Sequence, residues 1–212
     1  MFSAVATAGA VASFVGALFG PAPAVLEPPP SSRIVIDVVT VNGSGCPEGS
    51  AAVAMSPDNT AFTVTYSQYT AQVGVGAAAT DFRKNCQINL LVHVPQGFTY
   101  AIASTDYRGF AALEKGATGV QRANYYFQGS PATAYSQHQY KGPLVDDWHA
   151  TDVNEVASLA WAPCGAERFF NINTELRVLK GTSDTKKTTS FMTMDSTDGS
   201  FDTKYNLAWK KC

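Results

Sequence analysis

Residues 85–107 read NCQINLLVHVPQGFTYAIASTDY, and the pattern of this stretch indicates the fold class. Ile88, Leu90 and Val92 occupy every second position, which is the period of a strand that buries one of its two faces. A Pro-Gln-Gly turn at residues 95–97 interrupts the alternation, which then resumes to the end of the stretch. The stretch therefore predicts two antiparallel strands joined as a hairpin.

The same alternation recurs on both sides of this stretch. Upstream, Arg33 to Val41 alternates before a glycine-rich turn. Ser56-Pro57-Asp58-Asn59 then separates Ala52–Met55 from Ala61–Tyr69, which predicts another hairpin. The strands predicted downstream are Val120 to Gln128, Thr133 to Tyr140, Val156 to Trp161, Phe169 to Lys180, Thr188 to Met194 and Phe201 to Trp209.

These segments amount to about ten short strands, and nearly every gap between them holds Gly or Pro. The apolar spacing of Asp147 to Leu159 is ragged, so we expect at most one helical turn there. Strands and helices do not alternate along the chain. The sequence therefore predicts an all-β protein, an antiparallel β-sandwich or jelly roll that forms one domain.

Composition restricts the class of protein and its partners. The chain has 212 residues, 45% of them hydrophobic and 15% charged, which is enough apolar material for a core and excludes a disordered chain or a coiled coil. Its formal net charge is -2, and no block of basic residues supplies the positive field that phosphate backbones require. We therefore expect no nucleic acid as a partner.

The N-terminal segment has the pattern of a secretory signal peptide. Residues 1–26 carry no charged side chain, and Ala4 to Phe19 is continuously small or apolar. Ala22-Pro23-Ala24 is a small-x-small cleavage pattern, so we predict a signal peptide over residues 1–24 and Val25 as the first residue of the mature chain. A short membrane anchor is the alternative, but the apolar run is shorter than the roughly 18–20 residues that span a bilayer.

The rest of the chain is expected to be one extracellular unit. Residues 25–32 contain Pro28-Pro29-Pro30 and are predicted to form an extended, proline-rich lead-in. Residues 33–212 are predicted to form a single β-sandwich domain. We expect a secreted monomer that does not contact a membrane after the signal peptide is cleaved.

The cysteines predict two disulfide bonds. Cys46, Cys86, Cys164 and Cys212 make an even number, which in an oxidising compartment favours disulfides over thiol chemistry. Three pairings are possible. We favour Cys46–Cys86 with Cys164–Cys212, because each of these pairs encloses its own contiguous block of strands.

The densest set of possible ligands to a metal is Asp146-Asp147-Trp148-His149 together with Asp152. Carboxylates suit a hard cation and the imidazole suits a transition metal. Adjacent residues of an extended segment point to opposite faces, however, so only part of the set can converge. We interpret the segment as a solvated acidic loop with Trp148 packed inward, and we expect no metal site.

A second group of aspartates surrounds Asp198-Gly199. Asp195, Asp198 and Asp202 lack the spacing of an EF-hand calcium loop. Aspartate followed by glycine between two alternating segments is typical of a hairpin turn, which is the interpretation that we favour.

No catalytic signature is present. His93, His138 and His149 form no His-Glu-x-x-His motif, which excludes the zinc-protease signature. Gly43-Ser44-Gly45 is followed by a cysteine rather than by the helix of a nucleophile elbow, which disfavours a serine hydrolase. We therefore name no catalytic residue and no cofactor.

Aromatic residues concentrate in the middle third of the chain and supply candidate ligand-binding positions. In the segment around Tyr126, alternation places Tyr125 and Phe127 on one face and Tyr126 on the other. The candidate ligand-binding residues are Tyr126, Trp148, Asp147 and His149. Asn42 begins an Asn-Gly-Ser sequon in a predicted surface turn and is a candidate glycosylation site.

An ordered set of short motifs resembles one secreted family. The motifs are Gly45-Cys46-Pro47, Asn85-Cys86-Gln87 leading into Pro95-Gln96-Gly97-Phe98, Asp106-Tyr107-Arg108-Gly109, and Ala162-Pro163-Cys164-Gly165 before Asn171-Ile172-Asn173-Thr174. The chain resembles the cysteine-containing domain of unknown function that is common in filamentous fungi and occurs in actinobacteria. This resemblance covers Ile34 to Cys212 and implies secretion, a β-rich fold and paired cysteines, but no catalytic residues.

Two functions from different classes follow from these features. The leading hypothesis is a non-enzymatic secreted protein that binds an extracellular protein, in the manner of an effector, with inhibition of a host hydrolase as its specific form. The alternative is a carbohydrate-binding or carbohydrate-active protein of the cell wall, in which exposed Tyr or Trp contacts sugars. A structural wall or spore-coat component is a third hypothesis.

Overall fold

The structure is a computed structural model that describes residues 26–131, 133–155, 159–194 and 202–212. The described residues form twelve β-strands. They are β1 Val35–Asn42, β2 Ala51–Met55, β3 Ala61–Tyr66, β4 Thr70–Gly74, β5 Arg83–His93, β6 Phe98–Leu113, β7 Thr118–Phe127, β8 Thr133–Lys141, β9 Leu144–Val153, β10 Phe169–Leu179, β11 Thr189–Thr193 and β12 Thr203–Lys211. None of the described segments is a helix long and apolar enough to cross a membrane.

The strands build two antiparallel sheets. Sheet I has five strands in the order β1-β5-β10-β7-β8. Sheet II has seven strands, of which β2-β3-β12-β6-β11-β4 form a hydrogen-bonded path, while β9 pairs with the other edge of β6. The prediction of an all-β antiparallel sandwich with two disulfides is confirmed, with β4 and β9 as strands that the alternation pattern did not single out.

The seven strands of sheet II lie in five rows, because two of the rows each contain two strands placed end to end. β11 and β12 follow one another along the same edge of β6, with Thr193 opposite Phe110 and Thr203 opposite Tyr107. β4 and β3 continue this arrangement on the far side of β11 and β12. Each layer of the sandwich is therefore five rows wide.

The core lies between the two sheets. Aromatic side chains from both layers contact one another, as where the ring centroid of Tyr100 on β6 lies 5.4 Å from that of Phe127 on β7. The hydroxyl of Tyr69, between β3 and β4, lies 3.0 Å from Thr174 Oγ1 on β10 and links the layers by a buried hydrogen bond. The alternation in the sequence thus supplies the inward face of each layer.

The hairpin predicted from residues 85–107 is wrong, although both of its strands exist. β5 pairs with β1 and β10 in sheet I, whereas β6 pairs with β9, β11 and β12 in sheet II. The turn at residues 95–97 therefore carries the chain from one layer to the other. The hairpin of β2 and β3 is confirmed, with Met55 opposite Phe62.

The acidic segment around Trp148 is a strand rather than a loop or a helical turn. β9 pairs with β6 over ten successive residues, from Leu144 opposite Leu113 to Val153 opposite Ser104. Its ragged apolar pattern is that of an edge strand with a polar outer face, and Trp148 packs inward as expected. Among the residues predicted as a strand at Val156 to Trp161, 159–161 are not in a strand and 156–158 lie outside the described residues.

The two disulfides pair as favoured from the sequence. Cys46 and Cys86 are both buried and join the turn after β1 to β5, with their Cα atoms 5.2 Å apart. Cys164 and Cys212 join the segment before β10 to the C-terminus after β12, with their Cα atoms 5.7 Å apart. The signal peptide and the turn predicted at Asp195 and Asp198 lie outside the described residues, and Asp202 directly precedes β12.

Candidate functional site

The outer face of sheet I carries a continuous array of polar side chains that are open to a ligand. Strand β7 shows how the face arises, because Tyr125 and Phe127 are buried at 4% and 1% exposure while Tyr126 points outward and is half-buried. This alternation is the one predicted from the sequence. The outward positions of the neighbouring strands hold mostly Asn, Gln and Arg.

One line of side chains crosses all five strands of this face, and we call it the amide row. Its members, from β1 to β8, are Asn42, Gln87, Asn173, Asn124 and Tyr135. Successive members are opposite one another in the strand register. Four inter-strand spacings of about 4.8 Å make the row about 19 Å long.

The side-chain amides of this row do not hydrogen-bond to other described residues of the protein. Within the described ranges, the side chains of Gln87, Asn124 and Asn173 have no hydrogen-bonding partner in the chain, and the Oδ1 atom of Asn124 is buried. Tyr135 ends the row on β8 with 65% of its surface exposed, and its hydroxyl donates to Gln137 Oε1 at 3.2 Å. Donors, acceptors and one aromatic face are thus presented together on rigid strands.

A second line of side chains, which runs beside the amide row, is internally hydrogen-bonded. Thr40 Oγ1 donates to Asn89 Oδ1, and Asn89 Nδ2 donates to Asn171 Oδ1. Asn171 Nδ2 in turn donates to the carbonyl oxygen of Phe169 at 3.3 Å. Tyr126 lies next to Asn171 in the register. This second row holds its side chains in fixed positions and leaves the amide row as the unpaired one.

Three arginines and one glutamate lie on the other side of the amide row, and we call them the arginine cluster. Arg83 Nε and Arg177 Nη2 both donate to Glu175 Oε2, the second at 3.2 Å. Arg122 contacts Glu175 less closely, since its Nη1 lies 3.6 Å from Glu175 Oε1. Its Nε donates instead to Gln137 Oε1 at 2.7 Å. Burial by itself raises the pKa of Glu175, but the hydrogen bonds and charges of Arg177 and Arg83 outweigh it and lower the pKa.

Two grooves follow these side chains across the face. One has a volume of about 460 Å³ and is lined by the arginine cluster and by Asn85, Gln87, Asn124, Asn173 and Tyr135. The other has a volume of about 610 Å³ and runs along β1 past Thr40, Asn42 and Asn89. Gln87 lines both, so the grooves adjoin.

This arrangement has the chemistry of binding. Planar amides both donate and accept hydrogen bonds, tyrosine rings offer an apolar face, and guanidinium groups recognise anions. A glycoside-cleaving site needs two carboxyl groups across a cleft. Glu175 is the one carboxylate among the described residues that line the groove of the arginine cluster, and three arginines surround it.

The four candidate ligand-binding residues named from the sequence do not meet. Tyr126 lies on sheet I, whereas Asp147, Trp148 and His149 lie on β9 of sheet II. Trp148 is 3% exposed, and its Nε1 donates to the carbonyl oxygen of Thr193 at 3.2 Å, so its ring faces the core. Asp147 and His149 are exposed on the outer face of sheet II.

His149 belongs to a small polar cluster around Asp106. Thr151 Oγ1 donates to Asp106 Oδ1 at 2.7 Å, Asn206 Nδ2 donates to Asp106 Oδ2 at 3.0 Å, and His149 Nε2 lies 3.7 Å from Asp106 Oδ1. Burial by itself raises the pKa of Asp106, but the hydrogen bonds from Thr151 and Asn206 outweigh it and lower the pKa.

The other acidic residues of β9 do not complete a metal site. Asp152 Oδ1 is 2.8 Å from His138 Nε2 on β8, which places it away from Asp147 and His149. No group of three or more His, Cys, Asp and Glu side chains in the described ranges is arranged to hold a metal ion.

A further cleft, of about 540 Å³, lies at the end of the sandwich beside the disulfide of Cys164 and Cys212. Its lining includes the apolar residues Val92, Val94, Phe98 and Ala162, together with the charged side chains of Glu167 and Arg168. It offers fewer directional groups to a ligand than the outer face of sheet I.

The sequence carried a signal for the amide row that alternation alone could have exposed. Asn85, Gln87 and Asn89 alternate with Cys86, Ile88 and Leu90 in β5, and Asn171 and Asn173 alternate with buried residues in β10. Amides at every second position of a strand mark a polar face. That two such strands are neighbours in one sheet is visible only in the structure.

Comparison with known proteins places this architecture in a family. Residues 32–212 match the family described as "Domain of unknown function (DUF4360)". A protein of Arthroderma benhamiae named "uncharacterized secreted protein" is 36% identical over 184 residues, a match that covers 87% of this chain and 74% of the relative. The match takes in all twelve strands and both disulfides, and the resemblance stated from the motifs is confirmed. The chain therefore belongs to the DUF4360 family of domains of unknown function.

Proposed function

We propose that the protein is a secreted binding protein that holds a cell-wall polysaccharide on the outer face of sheet I. The observation that carries this proposal is the amide row, which crosses the sheet from Asn42 to Tyr135 with its amides unpaired within the described chain. Binding is the proposed activity, without a catalytic step.

Sugars suit this face because each of their hydroxyl groups donates and accepts hydrogen bonds, as an amide does. The side chains stand on paired strands, so the backbone loses little conformational entropy when they bind. The exposed ring of Tyr135 adds an apolar surface for the C–H face of a sugar ring. A row about 19 Å long suits an extended polymer better than a single small molecule.

Secretion of this chain is part of the proposal. The relative from Arthroderma benhamiae is named as secreted, and two disulfides fit an extracellular protein. The signal peptide at residues 1–24 and cleavage before Val25 remain predictions. Glycosylation of Asn42, at the exposed end of β1, also remains a prediction, and it would leave Gln87, Asn173, Asn124 and Tyr135 as the binding part of the row.

The test is co-sedimentation of the mature protein, starting at Val25, with insoluble chitin, β-glucan, cellulose and pectin, together with an assay of sugar release. We expect binding to at least one wall polymer without release of sugars. The double variant Gln87→Ala/Asn173→Ala should lose binding. Gln68→Ala, which removes an exposed amide from the turn between β3 and β4, is the matched control and should bind as the wild type does. Retained binding in the double variant would refute the assignment of the site.

A protein partner is the second candidate function, and an exposed apolar patch favours it. Phe82 and Leu179 are 42% and 46% exposed and line a shallow groove of about 560 Å³ together with residues 77–79, which are alanines. Exposed apolar surface of this kind is typical of protein contacts. The specific hypothesis is that this patch binds a host hydrolase and inhibits it, which an enzyme assay can test directly.

The assay for the second candidate measures the activity of secreted plant and insect hydrolases with and without the protein. Phe82→Ser should abolish inhibition, whereas Val145→Ser, which changes an isolated valine exposed to 76% on β9, should not. Equal inhibition by both variants would exclude the patch around Phe82 as the inhibitory surface.

A further inference from the structure

We propose that the polysaccharide held by the amide row is acidic, a chain containing uronic acids, and that Arg122 binds the carboxylate of one of its sugars. The inference rests on the proposed function and names the chemical class of its ligand.

The charge of the arginine cluster is opposite to that of the whole chain. Arg83, Arg122 and Arg177 contribute three positive charges, and Glu175 contributes one negative charge, which leaves a local charge of +2 on a protein of formal charge -2. Positive charge concentrated at one edge of a groove attracts an anion to that place.

Glu175 organises the cluster and leaves one arginine available. It accepts hydrogen bonds from Arg83 and Arg177, which fixes the positions of both guanidinium groups. Arg122 stays 3.6 Å from that carboxylate and is oriented instead by Gln137, to which its Nε donates at 2.7 Å. Within the described residues neither of its two terminal nitrogens donates a hydrogen bond, so both can bind a carboxylate in the bidentate geometry that a guanidinium favours.

The position of Arg122 matches the geometry of an acidic sugar bound on the amide row. Arg122 and Asn124 are outward neighbours on β7, two residues apart, which corresponds to about 7 Å along a strand. A uronic acid has ring hydroxyl groups at one end and a carboxylate at the other, so one sugar can contact both side chains. Tyr135, opposite Asn124 on β8, lies where the ring of that sugar can stack.

A carboxylate suits this place better than a densely sulfated chain. Arg83 and Arg177 donate hydrogen bonds to Glu175, whereas Arg122 makes only a longer ion pair of 3.6 Å with it, so one guanidinium keeps its terminal hydrogen bonds for the ligand at this point of the row. The rest of the row consists of neutral amides and tyrosine, which recognise hydroxyl groups rather than repeated anionic charge.

The experiment compares two forms of one polymer, polygalacturonate and its fully methyl-esterified form, by isothermal titration calorimetry with the mature protein. We expect binding to the free acid, and a loss of affinity of about tenfold or more for the methyl ester, which keeps the backbone and removes the charge. Arg122→Gln keeps a polar side chain beside Gln137 and should weaken binding to the free acid by a similar factor. Lys187→Gln, which removes an exposed positive charge from the turn before β11, should not.

The outcomes separate the two proposals. Equal affinity for the acid and the ester, or unchanged binding by Arg122→Gln, overturns the acidic ligand and leaves the polysaccharide proposal standing. Dextran sulfate is a further probe. If it binds, and if Lys187→Gln weakens that binding as much as Arg122→Gln does, the attraction is due to charge alone and the inference is overturned. If no acidic or neutral polymer binds, the proposed function itself fails. An unchanged melting temperature of Arg122→Gln confirms that the variant is folded.

Discussion

Trp209 Nε1 donates a hydrogen bond to the carbonyl oxygen of Asn59 at 3.0 Å, which joins the last strand to the turn between β2 and β3. The side chain of Asn59 extends this junction to the N-terminal lead-in. Its Nδ2 donates to the carbonyl oxygens of Pro30 and Ser32, both at 2.8 Å, and its Oδ1 accepts from the backbone nitrogen of Ile34 at 3.1 Å. One buried amide thus attaches the segment that precedes β1 to the domain.

Asn59→Ala should destabilise the fold by about 3 kcal/mol, because buried carbonyl oxygens lose their donors and alanine is strained at the φ of 57° that Asn59 adopts. Urea unfolding of the mature protein measures the change. Asn59→Gly separates the two causes, since glycine relieves the strain but restores no hydrogen bond. We expect it to recover about 1 kcal/mol relative to alanine. Equal stability of Asn59→Ala and the wild type would contradict this role.

Gly109→Ala should destabilise the fold by about 3 kcal/mol through overpacking. A Cβ atom at Gly109 would lie 1.9 Å from the carbonyl oxygen of Thr193 and 2.7 Å from the ring of Trp148, so β6 and the indole must both shift. Thermal unfolding and the intrinsic tryptophan fluorescence, to which Trp148 contributes, report the change. Gly129→Ala is the control for overpacking. Its φ of 78° disfavours alanine, but no atom lies within 4 Å of the added Cβ atom, so this variant introduces no steric clash. The prediction fails if the two variants are equally stable.

The two disulfides should differ in their contribution to stability. Their sequence separations of 40 and 48 predict about 4 kcal/mol for each from loop closure alone. Cys46 and Cys86 are also buried in the core, whereas Cys164 and Cys212 are exposed. Cys46→Ala/Cys86→Ala should therefore cost more than Cys164→Ala/Cys212→Ala in chemical denaturation. Equal losses would mean that loop closure is the whole effect.

Stability should depend on the ionisation of His93. Its Nε2 is 2.7 Å from Asp37 Oδ2 and its Nδ1 is 3.3 Å from Glu167 Oε1, and the hydrogen bond to Asp37 is the main cause of its raised pKa. A raised folded-state pKa stabilises the protein fully below the unfolded pKa of about 6.5, and the effect disappears as the pH rises through the folded value.

The size of this effect is limited because the His93 side chain is 39% exposed. Between about pH 5 and about pH 8.5, the wild type should lose about 0.5 kcal/mol relative to His93→Gln. Urea unfolding of both proteins at the two pH values gives the difference. A wild type that becomes more stable than the variant as the pH rises would have the opposite sign and would exclude the mechanism.

The sequence predicted which side chains share a face of a strand better than it predicted which strands pair with one another. Alternation placed Tyr125 and Phe127 on one face and Tyr126 on the other, and it located most strands within a few residues, because the two-residue period is a local property of an extended chain. Which of the two faces is buried was decided by the structure. It also indicated the disulfide pairing. The same information assigned β5 and β6 to one hairpin, since a turn between two strands does not specify whether they pair or cross between layers.

The candidate site illustrates the difference. The two-residue alternation is enough to assign Gln87, Asn124 and Asn173 to strands and to place Tyr126 and its neighbours on opposite faces. That these amides form one row is visible in the folded protein alone, because the row depends on the hydrogen-bond register between strands that are far apart in the chain. Pairing is fixed by the burial of all strands together, a non-local free energy that no short stretch of sequence contains.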